Sequence, residues 1–196
     1  MMLLMPSSME DAQGVVRPLQ TADLPALMEI QRACYGPAYV EGHDVFARRL
    51  ASPANCSRVL QRDGEVLAYL AAYWSERGKV TPLHGDFDAS PAPDVLYLHD
   101  MAVHPAQAGQ RLARRLLQAL WAEALGRGIR HSSLVSVQGS QDYWRRQGYD
   151  AQVLHDGVQA RRLKSYGDHA IYMLRALPAR IELSACLETG DNARYA

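Results

Sequence analysis

The run VLYLHDMAVHPAQAGQRLARRLLQALWAEAL, residues 95–125, decides the fold. Its first part, Val95–Val103, is rich in Val, Leu and Tyr and stops at His104-Pro105, the pattern of a strand closed by a proline. From about Gly109 to Leu125 the period becomes helical. Leu112, Leu116, Leu117, Leu120 and Ala124 share one face, and Arg114, Arg115 and Gln118 lie away from it. Gly126 and Gly128 then supply helix-ending glycines. A strand that turns directly into a long helix presents that helix's unpaired N–H groups and the positive end of its dipole. Because the turn from His104 to Ala113 is built mainly of small residues, the junction suits an anion such as a phosphate. It is neither G-x-x-x-x-G-K-[ST] nor G-x-G-x-x-G, which excludes those two nucleotide loops.

The flanking sequence supplies the rest of an α/β domain. Val15–Leu19 predicts a first strand, and Thr21-Ala22-Asp23 offers caps for a helix carrying Leu24, Leu27, Ile30 and Gln31 to about Cys34, before Gly36-Pro37. Asp44–Leu50 predicts a second short helix. Cys56–Gln61 and Glu65–Trp74 flank Arg62-Asp63-Gly64, and Asp-Gly between two β-rich runs predicts a hairpin. Lys79–Asp94 holds Pro82, Gly85, Pro91 and Pro93 and reads as a solvated loop. Beyond the long helix, Ser132–Val137 predicts a strand, Gln141–Gln147 a short helix, Tyr149–Leu154 a strand and His169–Leu174 a core strand. Ile181–Glu188 alternates as a half-buried edge strand does, an edge across which a homodimer would pair. With no internal repeat and no linker, the division is a frayed start at 1–14, one domain at 15–177 and an extension at 178–196.

Composition narrows the function classes. A chain of 196 residues, 48% apolar, is long enough for one real core. Its 21 basic and 21 acidic residues cancel, which removes the footprint of a general nucleic-acid binder and leaves room only for a local basic patch. No apolar run reaches the roughly 18 residues that span a bilayer, and Met1–Met5 lacks a basic n-region. Cys34, Cys56 and Cys186 lie far apart without a C-x-x-C pair, as expected of reduced cysteines in a cytoplasmic protein. The seven histidines show no ligand spacing, so no metal is expected.

Leu96–Val103, His104-Pro105, Gly109-Gln110, Leu112-Ala113 and the leucine-rich helix together resemble the acetyl-CoA-binding core of the GNAT superfamily of N-acetyltransferases. Tyr143-Trp144-Arg145-Arg146-Gln147-Gly148-Tyr149 resembles the aromatic-pair, Gly-aromatic signature of the same family. Arg17-Pro18, Ala22-Asp23 and Leu27 resemble its usual opening, so the likeness covers roughly residues 15–176 in order. The resemblance implies a mixed, mostly antiparallel sheet flanked by helices, with Val95–Val103 and Ser132–Val137 splayed to admit acetyl-CoA. It also implies cofactor contacts from Met101, Ala102, Val103, Ala108, Gly109, Gln110, Arg111, Leu112, Ala113, Arg114, Tyr143 and Trp144, and an acceptor-side role for Tyr35.

Two departures from the family pattern bear on mechanism. Ala108 stands where Arg or Gln is usual, and Arg111 replaces the inner Gly of the phosphate loop. The Arg111 side chain either blocks close approach or turns outward and supplies charge to a phosphate. Trp144 stands where the family often has a Tyr acid; an indole N–H cannot serve as a phenol does. Tyr143 points about 100° away on a helix, so it is expected in the core and Trp144 in the pocket wall.

The chemistry implied is direct acyl transfer from acetyl-CoA to a primary amine, small or peptidic. Where the family often places a Glu base, this chain has His99 followed by Asp100. Neutral imidazole is a suitable base near pH 7. A regular strand sends neighbouring side chains to opposite faces, so one of the two is expected to face the cleft and the other to pack or cap. Glu41, Asp44, Asp86 and Asp88 are candidates for drawing a cationic amine, but as charged loop residues they are expected to stay in water. Two other classes share this scaffold: an acyl-CoA-binding sensor without turnover, and an interaction domain that binds no coenzyme A.

Overall fold

The computed structural model describes residues 14–178 and the backbone of 194–195. Its first half runs β1 (Val15–Pro18), α1 (Leu24–Cys34), α2 (His43–Ala51), β2 (Arg58–Arg62), β3 (Glu65–Ser75) and β4 (Val95–Val103). Then follow α3 (Leu112–Gly126), β5 (His131–Ser136), α4 (Gln141–Arg146), β6 (Asp150–Ala151), α5 (Gly157–Lys164), β7 (Ile171–Ala176) and β8 (Arg194–Tyr195). The strands form one sheet in the order β1-β2-β3-β4-β5-β7-β6, with β8 added against β4. Every neighbouring pair is antiparallel except β4 and β5. Asp63 and Gly64 take φ of 51° and 85°, the two left-handed residues that a tight hairpin between β2 and β3 needs.

All of β4 is buried, because helices cover both faces of the sheet there. On one face Leu112, Leu116, Leu117 and Leu120 of α3 pack on Leu96, Leu98, Met101 and Val103. On the other, Leu27 and Ile30 of α1 and Phe46 of α2 pack over Tyr69, Tyr73 and Tyr97. Each such buried side chain contributes about 1.5–3 kcal/mol of transfer free energy, so these two layers hold β4 in place.

The parallel contact between β4 and β5 is short, pairing Leu96–Leu98 with Ser132–Leu134. Beyond Leu98 the two strands part. β5 continues to Ser136 against β7 alone, and β3 keeps the other edge of β4 as far as Val103. The β4 edge exposed by this parting is taken at Met101 and Ala102 by the backbone of Tyr195 and Arg194.

Several sequence expectations need correcting. The long helix begins at Leu112, not near Gly109, because a 3₁₀ turn at Pro105–Gln107 and left-handed residues at Gly109 and Arg111 take up the preceding stretch. The strand expected at Tyr149–Leu154 shrinks to Asp150–Ala151, and the one at His169–Leu174 is shifted to Ile171–Ala176. Helix α5 went unread because none of its residues is buried, so it carries no apolar stripe; Asp156 caps it by accepting from the N–H groups of Val158 and Gln159. The loop at 79–94 has no strand or helix, yet it buries Val80, Thr81 and Phe87. Of the frayed start expected at 1–14, residues 1–13 lie outside the described residues, as do the edge strand expected at Ile181–Glu188 and Cys186; Gly14 is described and buried.

Candidate active site

The register between β3 and β4 slips by one residue: Ala71 pairs with Asp100, but Ala72 pairs with Leu98. His99 is the extra residue of a β-bulge. A bulge re-aims the chain and suspends the alternation of faces. Leu96, Leu98, Met101 and Val103 therefore face the α3 side, while Tyr97 and Ala102 belong to the α1–α2 side. His99 and Asp100 both lie on this second side, where they line one small cavity with Tyr35, Tyr39, Glu41 and Tyr166. The expectation that only one of them would face the cleft is thus overturned.

Around His99 the structure builds a buried ionic cluster. The turn after α1 carries Glu41 inward until its side chain is only 2% exposed, so the expectation of a wet loop residue fails here. Arg49 of α2, equally buried, grips that carboxylate with Nη1 at 2.5 Å from Oε2 and Nη2 at 2.6 Å from Oε1. The guanidinium also donates to the carbonyl of Gly85 and sits between the rings of Phe46 and Phe87. The His84 N–H donates to Glu41 Oε1 at 2.7 Å, and His99 Nε2 lies 2.8 Å from Oε2. Burial alone would raise the Glu41 carboxyl, but pairing with His99 and Arg49 outweighs it and holds the group well below its ordinary value.

Asp100 sits in the opposite electrostatic situation. Tyr69 donates to its Oδ2 at 2.5 Å and Gln31 Nε2 at 3.3 Å, with no cation at hydrogen-bond distance among the described residues. Burial raises its carboxyl above the usual range, although the Tyr69 hydrogen bond opposes this. Gln31 links the two acids, since its Oε1 accepts from the Glu41 backbone N–H at 2.6 Å. Tyr35 donates to the Met101 carbonyl at 2.7 Å, and Tyr166 donates to the Thr81 carbonyl at 2.7 Å while its hydroxyl lies 3.4 Å from His99 Nδ1. The cavity is about 20 Å³, room for one water. A wider groove of about 740 Å³ lies around Asp94, Tyr172 and Leu174 and contains none of these side chains.

The residues expected to hold the cofactor lie along the end of β4, on the loop after it and in the layer on the α3 side of the sheet. Met101, Ala102 and Val103 are buried on the strand, and Ala108, Gly109, Gln110 and Arg111 are exposed on the loop. Gly109 has φ 81° and Arg111 φ 58°, so the loop turns its backbone by left-handed residues just before α3. Leu112 and Ala113 are buried in the first turn of α3, and Arg114 is half-buried beside them. The N–H groups of that first turn have no intrahelical acceptor. Arg62, which the sequence did not single out, reaches across from β2 to Gln107 at 2.7 Å and Gln110 at 2.9 Å. Tyr143 and Trp144 are both buried in the α3-side core, where Trp144 meets the rings of Tyr143 and Tyr149 edge-on. Trp144, expected as a pocket wall, is a core residue in this structure.

The structure thus brings His99, Asp100 and Tyr35 together around one cavity, which the loop residues Ala108–Arg111 do not line. Glu41, Arg49, Gln31, Tyr69 and Tyr166 complete the cluster and were missed. Their sequence signals were charge or aromaticity and, for Gln31, only helical spacing with Leu24, Leu27 and Ile30, none of which reveals a partner.

The sequence model of the acetyltransferase (GNAT) family matches residues 24–149. No curated protein matches the sequence. Among solved structures, the ribosomal-protein-S18-alanine N-acetyltransferase from Escherichia coli superposes with a TM-score of 0.62 at 19% identity, over 87% of this chain and 97% of that one. A GNAT-like decarboxylase, GphF, in complex with isobutyryl-CoA gives 0.65 at 17% identity over 84% and 100%. The PaiA N-acetyltransferase from Thermoplasma acidophilum, in complex with coenzyme A, gives 0.57 at 12% over 83% and 98%. These likenesses are of fold. The family match runs from the first residue of α1 to the aromatic after Gly148, taking in β4, its bulge and the start of α3: the chain belongs to the acetyltransferase (GNAT) family of acetyl-CoA-dependent acyltransferases.

Proposed function

We propose that this protein transfers an acetyl group from acetyl-CoA to a primary amine by direct attack, with His99 taking a proton from the incoming nitrogen. The observation that carries this reading is the β4 bulge, which turns His99 and Asp100 into one cavity next to the opening between β4 and β5. That opening suits the cosubstrate. It already accepts an extended backbone along Met101 and Ala102, as a chain with amide groups requires, and the exposed loop residues Gly109 and Arg111 lead from the end of β4 into the N-terminus of α3. Met101, Ala102 and Val103 would line the arm, and the loop from Ala108 to Arg114 would meet the phosphates.

Acetyl-CoA supplies an activated acyl group and a thiolate leaving group. An ammonium acceptor loses two protons on becoming an amide. His99 takes the first, which frees the lone pair; the nitrogen–carbon bond forms, the carbon–sulfur bond breaks, and the second proton ends on the thiolate or in solvent. With Trp144 in place of a phenol, departure relies on the thiol's own acidity, an ordinary pKa of about 8.5. Asp100, with its hydrogen bonds to Tyr69 and Gln31, sets the field beside His99 more than it serves as base. Tyr35, anchored on the Met101 carbonyl, forms the acceptor-side wall.

Titration calorimetry with acetyl-CoA, run beside dephospho-CoA, and thiol release over an amine panel test the reading. Micromolar binding that weakens without the 3′-phosphate, together with turnover on an amine, is expected. Binding without turnover on any amine would make the domain a sensor, and no binding at millimolar ligand would overturn the proposal.

A further inference from the structure

We infer that Glu41 is a positioning residue for the transfer: its carboxylate, fixed by Arg49, selects the imidazole tautomer of His99 that keeps a lone pair on Nδ1 for the acceptor's proton. The inference rests on reading His99 as the proton acceptor. It follows from counting donors. Glu41 Oε1 accepts from Arg49 Nη2 and the His84 N–H, and Oε2 accepts from Arg49 Nη1. The carboxyl is held well below its ordinary value, so it is ionised and has no proton to give. The 2.8 Å contact to His99 Nε2 is then a hydrogen bond only if Nε2 carries the hydrogen. In the neutral ring this leaves the lone pair on Nδ1. Tyr166 gives its hydroxyl proton to the Thr81 carbonyl and so does not protonate Nδ1; its oxygen, 3.4 Å away, is an acceptor for the N–H that Nδ1 gains when His99 takes the proton.

The pairing also explains why ions are buried here. A buried Arg–carboxylate pair is a weak source of stability, since well-packed apolar residues often do as well. A fixed carboxylate behind an imidazole, by contrast, orients the ring and stabilises the imidazolium that forms on proton uptake, the role a buried Asp plays behind the His of a Ser-His-Asp triad. Arg49 acts one step further back. Its bidentate grip and its seat between Phe46 and Phe87 hold the Glu41 carboxylate in a single orientation.

The direct test needs no variant. Long-range ¹H–¹⁵N spectra of the full chain labelled at histidine are expected to show neutral His99 protonated at Nε2; an Nδ1-protonated ring would overturn the inference. Glu41→Gln is expected to lower kcat about 10-fold or more with KM for acetyl-CoA within twofold, and to cost nothing further in a His99→Ala background. Full additivity of the two losses would also overturn it. Undiminished turnover in His99→Ala would instead sink the reading of His99 itself, whereas a slow His99→Ala beside an unimpaired Glu41→Gln would sink the role of Glu41 alone.

Discussion

His99 and Asp100 are consecutive residues of one strand, yet they occupy the same side of the sheet, because the ladder to β3 skips His99 between Leu98 and Asp100. A regular strand would have buried one of them under α3 among leucines, where an unpaired imidazole or carboxylate is costly. The bulge instead delivers both to a cavity lined by tyrosines and Glu41. The same slip occurs next to the point where β5 leaves β4, so the acid–base groups and the opening for the acyl donor sit at one place on the strand.

The two buried acids titrate in opposite directions, and this predicts opposite effects on stability. For Glu41 the folded value lies below the unfolded one, so its contribution is present above the ordinary glutamate pKa of about 4.3 and is lost as pH falls from there toward the folded value. For Asp100 the folded value is raised, so ionisation costs stability and acidification relieves that cost. Urea denaturation at about pH 5 and at about pH 3 should therefore show the deficit of Glu41→Gln shrinking on acidification, while any advantage of Asp100→Asn also shrinks. A Glu41→Gln deficit that grew as pH fell would contradict the ion-pair account.

Arg111 holds a left-handed backbone, φ 58°, immediately before α3, a conformation that costs a side-chain-bearing residue about 1 kcal/mol. Arg111→Gly should raise stability by up to that amount. Because the exposed guanidinium stands at the N-terminus of α3, the same substitution should weaken acetyl-CoA binding about 2–5-fold, less at high salt. Tighter binding in calorimetry would mean that the side chain obstructs the loop.

Arg194 and Tyr195 pair with the β4 edge at Ala102 and Met101, the edge proposed to take the acyl donor. Proline is incompatible with such a ladder position. Tyr195→Pro should therefore tighten acetyl-CoA binding several-fold, as read by calorimetry on the full chain. Unchanged affinity would mean that donor and C-terminal strand do not compete for this edge.

Much of this architecture was legible in residues 95–125: the strand, its proline stop, the leucine face and the glycine end all recur in the structure. The hairpin at Asp63-Gly64 was legible too, because left-handed turn residues leave a chemical mark. The bulge was not. A strand buried on both faces shows no alternation, so an extra residue in VLYLHDMAV changes nothing that periodicity can register. Glu41 and Arg49 were hidden for a different reason: a charged residue in a loop reads as solvated until its partner, here eight positions away on another helix, is seen to close on it.

The central claim is tested most directly by following release of the coenzyme A thiol from acetyl-CoA, with the amine panel, in wild type and His99→Ala. The account predicts turnover in the wild type, a loss of roughly 10²-fold or more in kcat for the variant, and acetyl-CoA affinity within about twofold. Equal turnover in the two proteins would contradict it and remove His99 from the mechanism.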